Sequence, residues 1–177
     1  MQGRSMRGLM VLLATVFAAG TGAAAESGAD HGAAAGVNWQ SWTAGNEVTN
    51  TASLQRGAAN FVNYCLGCHS LKYMRYERMA TDLDIGLEQL RTNLIPTDAK
   101  TTDYMLSTFP AADAEVWFGR APPDLSLVSR YRGVDWTYRF LKGFYADASR
   151  ASGTNNLVLD GASMPAVLSD LEGVKAA

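Results

Sequence analysis

The feature that most constrains this 177-residue chain is the run Cys65-Leu66-Gly67-Cys68-His69, which holds both of its cysteines and one of its two histidines. Cys-x-x-Cys-His is the attachment signature of a c-type haem. Two thiols on one helical turn can add to the vinyl groups of a porphyrin, and the adjacent imidazole can then ligate the iron. The motif therefore predicts one covalent haem.

Two other readings of the motif fit the chain less well. A thioredoxin-like dithiol needs a βαβ context and gives no role to His69. A tetrahedral zinc site needs a fourth ligand, and the other histidine, His31, lies far upstream in a Gly/Ala-rich stretch, where we expect it to be an exposed bystander. We therefore favour the haem.

The N-terminus has the order of a secretory signal peptide. Arg4 and Arg7 precede an apolar run from Leu9 to Ala19, and three alanines follow at 23–25. That run is shorter than the roughly 20 residues that span a bilayer. We expect residues 1–25 to be removed on export, and thioether bonds would then protect the two thiols from oxidation.

The mature chain is long enough for one domain with a real core. Removal of the signal peptide takes two of the 15 basic residues and none of the 17 acidic ones, so the formal net charge falls from −2 to −4. This charge argues against nucleic-acid binding and allows steering of a basic partner. We expect residues 26–50 to form a lead-in segment and residues 51–177 the haem domain.

The apolar pattern predicts an all-α fold with long irregular loops around the haem, because no alternating strand pattern is present. Asn50 or Thr51 can cap a helix that runs to the haem motif. Further helices are predicted at 84–94, 111–118 and 134–145, with Asp124 placed to begin another through Val128.

A low-spin haem iron needs a second axial ligand, and a methionine thioether is a soft donor that raises the potential. Outside the signal peptide the candidates are Met74, Met79, Met105 and Met164. The first three lie in segments that packing explains. Met164 lies in a loop stiffened by Pro165. Local context favours Met164 but leaves the choice open.

Several blocks of the sequence together resemble the cytochrome c1 family, the haem subunits of cytochrome bc1 complexes, in its proteobacterial form. The blocks are Ser53-Leu54-Gln55-Arg56-Gly57-Ala58, Asn63 to Leu71, Trp117-Phe118-Gly119-Arg120-Ala121-Pro122-Pro123-Asp124-Leu125-Ser126, Asn155-Asn156-Leu157-Val158 and Met164-Pro165. The resemblance covers residues 37 to 172.

The resemblance implies one-electron transfer by haem c from the Rieske iron-sulfur protein to cytochrome c, within the ubiquinol-cytochrome c reductase complex. Cytochrome b is a further implied partner, and the implied location is the periplasmic face of the bacterial inner membrane. Cys65 and Cys68 would be the thioether links, His69 the proximal ligand and Met164 the distal one. The subunit would have no acid/base or nucleophilic group of its own.

The family pattern also implies roles for the block that contains the two adjacent prolines. Arg120 would pair with a haem propionate. The carbonyls of Pro122 and Pro123 are free to accept, and one of this segment would accept the Nδ1 proton of His69, which would hold the ring and raise its basicity.

The chain departs from the family at its C-terminus. Members of the family continue into a further helix and a transmembrane anchor, whereas this chain ends at Ala177 without an apolar run near 20 residues. We expect it to be a truncated form of a longer, membrane-anchored protein. The alternatives are a free periplasmic monohaem carrier and a haem-based gas sensor.

Overall fold

The computed structural model describes residues 37–176. The predicted signal peptide and His31 lie outside this range, and the boundary between lead-in and haem domain stays a prediction. The elements in order are a 3-10 helix Trp39–Ser41, α1 Thr51–Asn60, a π-helical turn Phe61–Cys65, β1 Leu71–Arg75, α2 Tyr76–Asp82, α3 Leu87–Asn93, β2 Tyr104–Met105, α4 Ala111–Phe118, α5 Val128–Arg132, α6 Val134–Lys142, β3 Phe144–Ala146, β4 Thr154–Asn156 and α7 Ser169–Glu172.

Helix α1 leads directly into the haem motif, as predicted. The side chain of Asn50 caps it by accepting a hydrogen bond from the backbone N–H of Ser53 at 3.0 Å. The π-helical turn then continues the helix, with Leu66 N donating to Phe61 O at 2.9 Å. The two thiols therefore lie at the C-terminal end of one continuous helical segment.

Two small antiparallel sheets show that the predicted all-α class is incomplete. Strand β1 pairs with β2, with Leu71 opposite Met105, and β3 pairs with β4, with Tyr145 opposite Asn155. The fold is mostly helical, with these sheets added. The strands contain two to five residues, and such short strands show little of the alternation by which a strand is recognised.

Three of the predicted helix boundaries are wrong. Helix α3 begins at Leu87 rather than Asp84, because Asp84 adopts a left-handed φ of 52°. Helix α6 ends at Lys142, and the residues that follow pair as β3. Helix α5 begins at Val128 itself. Asp124 lies in the loop before it, where its carboxylate accepts a hydrogen bond from Lys72 N. The helix predicted at 111–118 is confirmed as α4, with Gly119 ending it at φ 75°.

One buried apolar cluster, which we call the first core, lies between α1, β1, β2, α2 and α3. It contains three of the four candidate methionines. Met105 is fully buried and Met79 nearly so, while Met74 packs against the same cluster. Its other buried members are Val62, Leu66, Tyr76, Ala80, Leu90 and Leu94. Packing therefore accounts for these methionines, as the sequence predicted.

Helix α6 holds the segment that follows the 3-10 helix. Arg139 Nε donates to Trp42 O at 2.7 Å, and Ala44 N donates to Asp135 Oδ1 at 2.7 Å. Its aromatic side chains stack on one another, with 5.3 Å between the ring centroids of Trp136 and Phe140. No helix within residues 37–176 is long and apolar enough to cross a membrane.

Candidate haem site

The two cysteines of the motif lie on one helical turn. Cys68 N and His69 N both donate to Cys65 O, at 3.0 and 2.8 Å. Neither thiol is in a disulfide, and Cys65 is partly buried while Cys68 is exposed. Burial, and secondarily the charge of Cys68, raise the pKa of the Cys65 thiol. The two thiols are therefore close together and free, and they differ in exposure.

The imidazole of His69 is oriented by a backbone carbonyl. Its Nδ1 lies 2.8 Å from the carbonyl oxygen of Pro123. A carbonyl oxygen only accepts, so the hydrogen-bonded Nδ1 carries the proton. In the neutral ring Nε2 then has the free lone pair, and an N–H donated to a carbonyl is the usual support of a metal-ligating histidine.

The segment that contains the two prolines is hydrogen-bonded to the chain just beyond His69. We call residues 122–126 the proline strap. Leu125 N donates to Ser70 O at 2.9 Å, and Lys72 N donates to Asp124 Oδ2 at 2.8 Å. The strap therefore lies alongside the residues that follow the haem motif, and each of the two segments donates a hydrogen bond to the other.

Asp124 is the charged group that secures the strap. Burial would raise the pKa of its carboxyl, but hydrogen bonds from the backbone of Lys72 and from the hydroxyl and backbone of Ser126 outweigh burial and lower that pKa below its ordinary value. The carboxylate therefore stays ionised at neutral pH and accepts both backbone N–H groups.

Ser107 holds the haem motif from another segment. Its hydroxyl donates to Gly67 O at 2.8 Å, and its backbone N–H donates to Ser70 Oγ at 2.9 Å. Sequence reasoning missed this residue, because nothing in the local pattern of the 97–108 segment marks it. It also assigned Asp124 to a helix start, although the family block contained it.

Met164 lies in the loop between β4 and α7, apart from the first core. Its side chain is half-buried and lines a small pocket with Leu141, Phe144, Val167 and Leu168. This loop position agrees with the sequence analysis. Its role as an iron ligand stays a prediction.

The other two predicted site residues are placed differently. Pro122 is half-buried beside Pro123 in the strap. Arg120 is exposed just beyond the left-handed Gly119 and makes no hydrogen bond or ion pair within residues 37–176. The predicted propionate partner of Arg120 therefore stays a prediction.

The donor set fits haem c. Two free thiols on one turn match its two thioether bonds, and the hydrogen bond of His69 Nδ1 to a carbonyl leaves Nε2 as the nitrogen that could ligate the iron. In the part of the chain that the structure describes, no group of three or more His, Cys, Asp or Glu side chains is arranged to hold a metal ion.

The class of c-type cytochromes is defined by this arrangement, in which two thiols on one helical turn are directly followed by a histidine that can ligate iron. The family model described as "Cytochrome C1 family" matches residues 41–174. The chain belongs to the cytochrome c1 family.

Two curated proteins are similar to this chain over more than two thirds of its length. A protein named "Cytochrome c1" from Allochromatium vinosum is 44% identical over 164 residues, which cover 93% of this chain and 64% of the relative. A protein named "Ammonia monooxygenase gamma subunit" from Nitrosomonas europaea is 48% identical over 121 residues, which cover 68% of this chain and 51% of the relative. The chain thus spans only part of the length of either protein.

Proposed function

We propose that this chain binds one haem c covalently through Cys65 and Cys68 and acts as a one-electron carrier. The observation that carries the proposal is the bond of His69 Nδ1 to Pro123 O beside the two free thiols. Bound haem c would accept and release single electrons at its iron.

Different residues would contact different parts of the haem. His69 would supply Nε2 as the ligand to the iron, and the carbonyl of Pro123 orients its ring. Met164 would supply a soft thioether, a donor that favours reduced iron and so raises the potential. The exposed guanidinium of Arg120 would pair with a propionate, and the half-buried Pro122 directly precedes the residue whose carbonyl bonds His69.

Membership of the cytochrome c1 family supports a specific place for the chain in electron transfer. We propose that it takes electrons from the Rieske iron-sulfur protein and passes them to cytochrome c, together with cytochrome b in a ubiquinol-cytochrome c reductase complex. Export by the predicted signal peptide would place it on the periplasmic face of the inner membrane.

The name of the second relative describes an ammonia monooxygenase subunit. No observation within residues 37–176 favours that role. The alternative closest to the proposed function is a free periplasmic electron carrier. Fractionation of the native host distinguishes this carrier from a bc1 subunit, because a bc1 subunit sediments with membranes and co-purifies with cytochrome b.

Haem attachment is tested by expressing the full chain with a working cytochrome c maturation system. Acid-acetone extraction followed by mass spectrometry should show a polypeptide heavier by one haem. The double variant Cys65→Ser/Cys68→Ser should lose that mass, whereas Ser70→Ala, one residue beyond the motif, should keep it. Recovery of free haem and unmodified mature wild-type polypeptide would end the proposal.

Electron transfer is tested separately by stopped-flow spectroscopy. The ascorbate-reduced protein is mixed with ferric cytochrome c, and its haem should be oxidised as the partner is reduced. Failure of this exchange in protein that carries covalent haem would refute the acceptor assignment while leaving haem attachment intact.

A further inference from the structure

Asn155 is almost fully buried, with 5% of its surface exposed, although it lies in a three-residue strand. Its Nδ2 donates to Asp147 Oδ2 at 3.0 Å and to Asp160 Oδ1 at 2.8 Å. Its Oδ1 accepts from Asn156 N at 2.8 Å and from Gly161 N at 2.9 Å. A primary amide has two donor hydrogens and two acceptor lone pairs, so every hydrogen-bonding position of Asn155 is used.

The neighbouring Asn156 secures the beginning of the same loop. It is 2% exposed, and its Oδ1 accepts from Val158 N at 2.9 Å and from Leu159 N at 3.2 Å. Its Nδ2 donates to Phe140 O at 2.8 Å. Residues 157–161 are therefore fastened at one end by Asn156, and Asn155 holds their other end through Gly161.

The end held by Asn155 is conformationally demanding. Gly161 has a φ of 69°, a left-handed value that glycine adopts without strain. A Cβ at this position would lie 3.0 Å from the Arg150 guanidinium, which itself donates to Asp160 Oδ1 at 3.1 Å. The turn therefore closes tightly against polar groups. Met164 lies only three residues further along the chain.

We propose that Asn155 is a positioning residue, which fixes the loop 157–161 so that the sulfur of Met164 is held in one place for ligation. This inference rests on the proposed function, in which Met164 is the distal ligand. Removal of the Asn155 amide leaves Gly161 N without its acceptor and frees the turn to adopt other conformations. Ligation by Met164 is then weakened by the fraction of chains whose loop is misplaced.

The test compares Asn155→Ala with Leu90→Ala in the full chain carrying haem. Leu90 is fully buried in the first core, so its truncation lowers global stability without touching the loop. Three quantities are measured: the weak near-infrared sulfur-to-iron charge-transfer band of the ferric protein, the affinity of the ferric protein for added imidazole, and hydrogen exchange at the amides of residues 158–161. Imidazole reports how easily the methionine is displaced.

We expect Asn155→Ala to lose most of the band, to bind imidazole about tenfold more tightly and to exchange the loop amides faster. Leu90→Ala should keep the band and the imidazole affinity at wild-type values, and any faster exchange in this variant should extend to amides outside residues 158–161. An unchanged band and imidazole affinity in folded Asn155→Ala overturns the inference, and so does an equal loss in Leu90→Ala. If Asn155→Ala fails to fold, Asn155→Ser is judged by the same outcomes, because a serine hydroxyl has only one donor hydrogen and cannot replace both bonds of Asn155 Nδ2 to Asp147 and Asp160.

A third variant separates this inference from the proposed function. Met164→Leu should lose the band completely. If Met164→Leu loses the band and Asn155→Ala keeps it, only the positioning role fails. If Met164→Leu keeps the band, the ligand assignment fails, and the positioning role fails with it.

Discussion

The imidazole Nδ1 of His69 lies 2.8 Å from the carbonyl oxygen of Pro123, 54 positions further along the chain. The acceptor is a backbone atom, so no substitution of the proline side chain removes it. The ring of Pro123 restricts its own φ, and the Asp124 carboxylate ties the next residue to Lys72 N. Orientation of the histidine therefore depends on the position of the proline strap as a unit.

The strap should give the protein an acid-sensitive component of stability. Because hydrogen bonds lower the pKa of Asp124 in the folded state, its contribution is fully present above the pKa of the unfolded chain, about 3.9. It is lost as the pH falls through the lower folded-state pKa. Denaturant unfolding at a series of pH values should therefore show a flatter acid limb for Asp124→Asn than for wild type.

The control for this measurement is Asp98→Asn. Asp98 is exposed and accepts no hydrogen bond within the part of the chain that the structure describes, so this variant should keep the wild-type acid limb. An acid limb for Asp124→Asn as steep as that of wild type would contradict a stabilising carboxylate in the strap.

Before haem is attached, the two thiols should react at different rates. Cys68 is exposed, whereas burial and the neighbouring Cys68 raise the pKa of Cys65, and the thiolate is the reactive form. Brief treatment of the haem-free chain with iodoacetamide should alkylate Cys68 several-fold faster, as measured by peptide mass spectrometry. Cys68→Ser should then speed alkylation of Cys65, and equal rates in wild type would show that burial does not protect it.

The elements that the sequence predicts well are those set by local chemistry. Asn50 caps α1 through a bond three residues away, and Gly119 ends α4 by its left-handed φ. The haem motif itself follows the same rule, because its spacing within one turn carries the chemistry. Each of these depends only on neighbours along the chain.

The parts that sequence reasoning missed depend on distant partners. Strands β1 and β2 pair across about thirty positions of intervening chain, and Ser107 reaches Gly67 across a separation of 40. In the sequence, Asn155 is marked only as part of a family block. The four hydrogen bonds of its side chain are visible only in the structure. Local periodicity cannot show such contacts, because it records a side chain's neighbours on its own element.

Electron exchange with a basic cytochrome c should slow as salt rises. Without the predicted signal peptide the chain has a formal net charge of −4, and charges more than about 10 Å apart are screened near 0.1 M salt. Stopped-flow rates should fall about tenfold from low to moderate ionic strength. Oxidation by a small uncharged oxidant serves as the control and should change little. Equal salt dependence in both reactions would argue against electrostatic steering.

The assignment of the distal ligand is tested by comparing two methionines in different surroundings. Met164 lies in a half-buried loop, whereas Met105 is fully buried in the first core. Met164→Leu keeps bulk but removes the soft donor, so the near-infrared band should vanish and the midpoint potential should fall by about 100 mV or more. Met105→Leu is a volume-conserving exchange that should cost less than about 1.5 kcal/mol of stability and leave both spectroscopic quantities unchanged. A band that survives in Met164→Leu and disappears in Met105→Leu would assign the ligand to the core methionine instead.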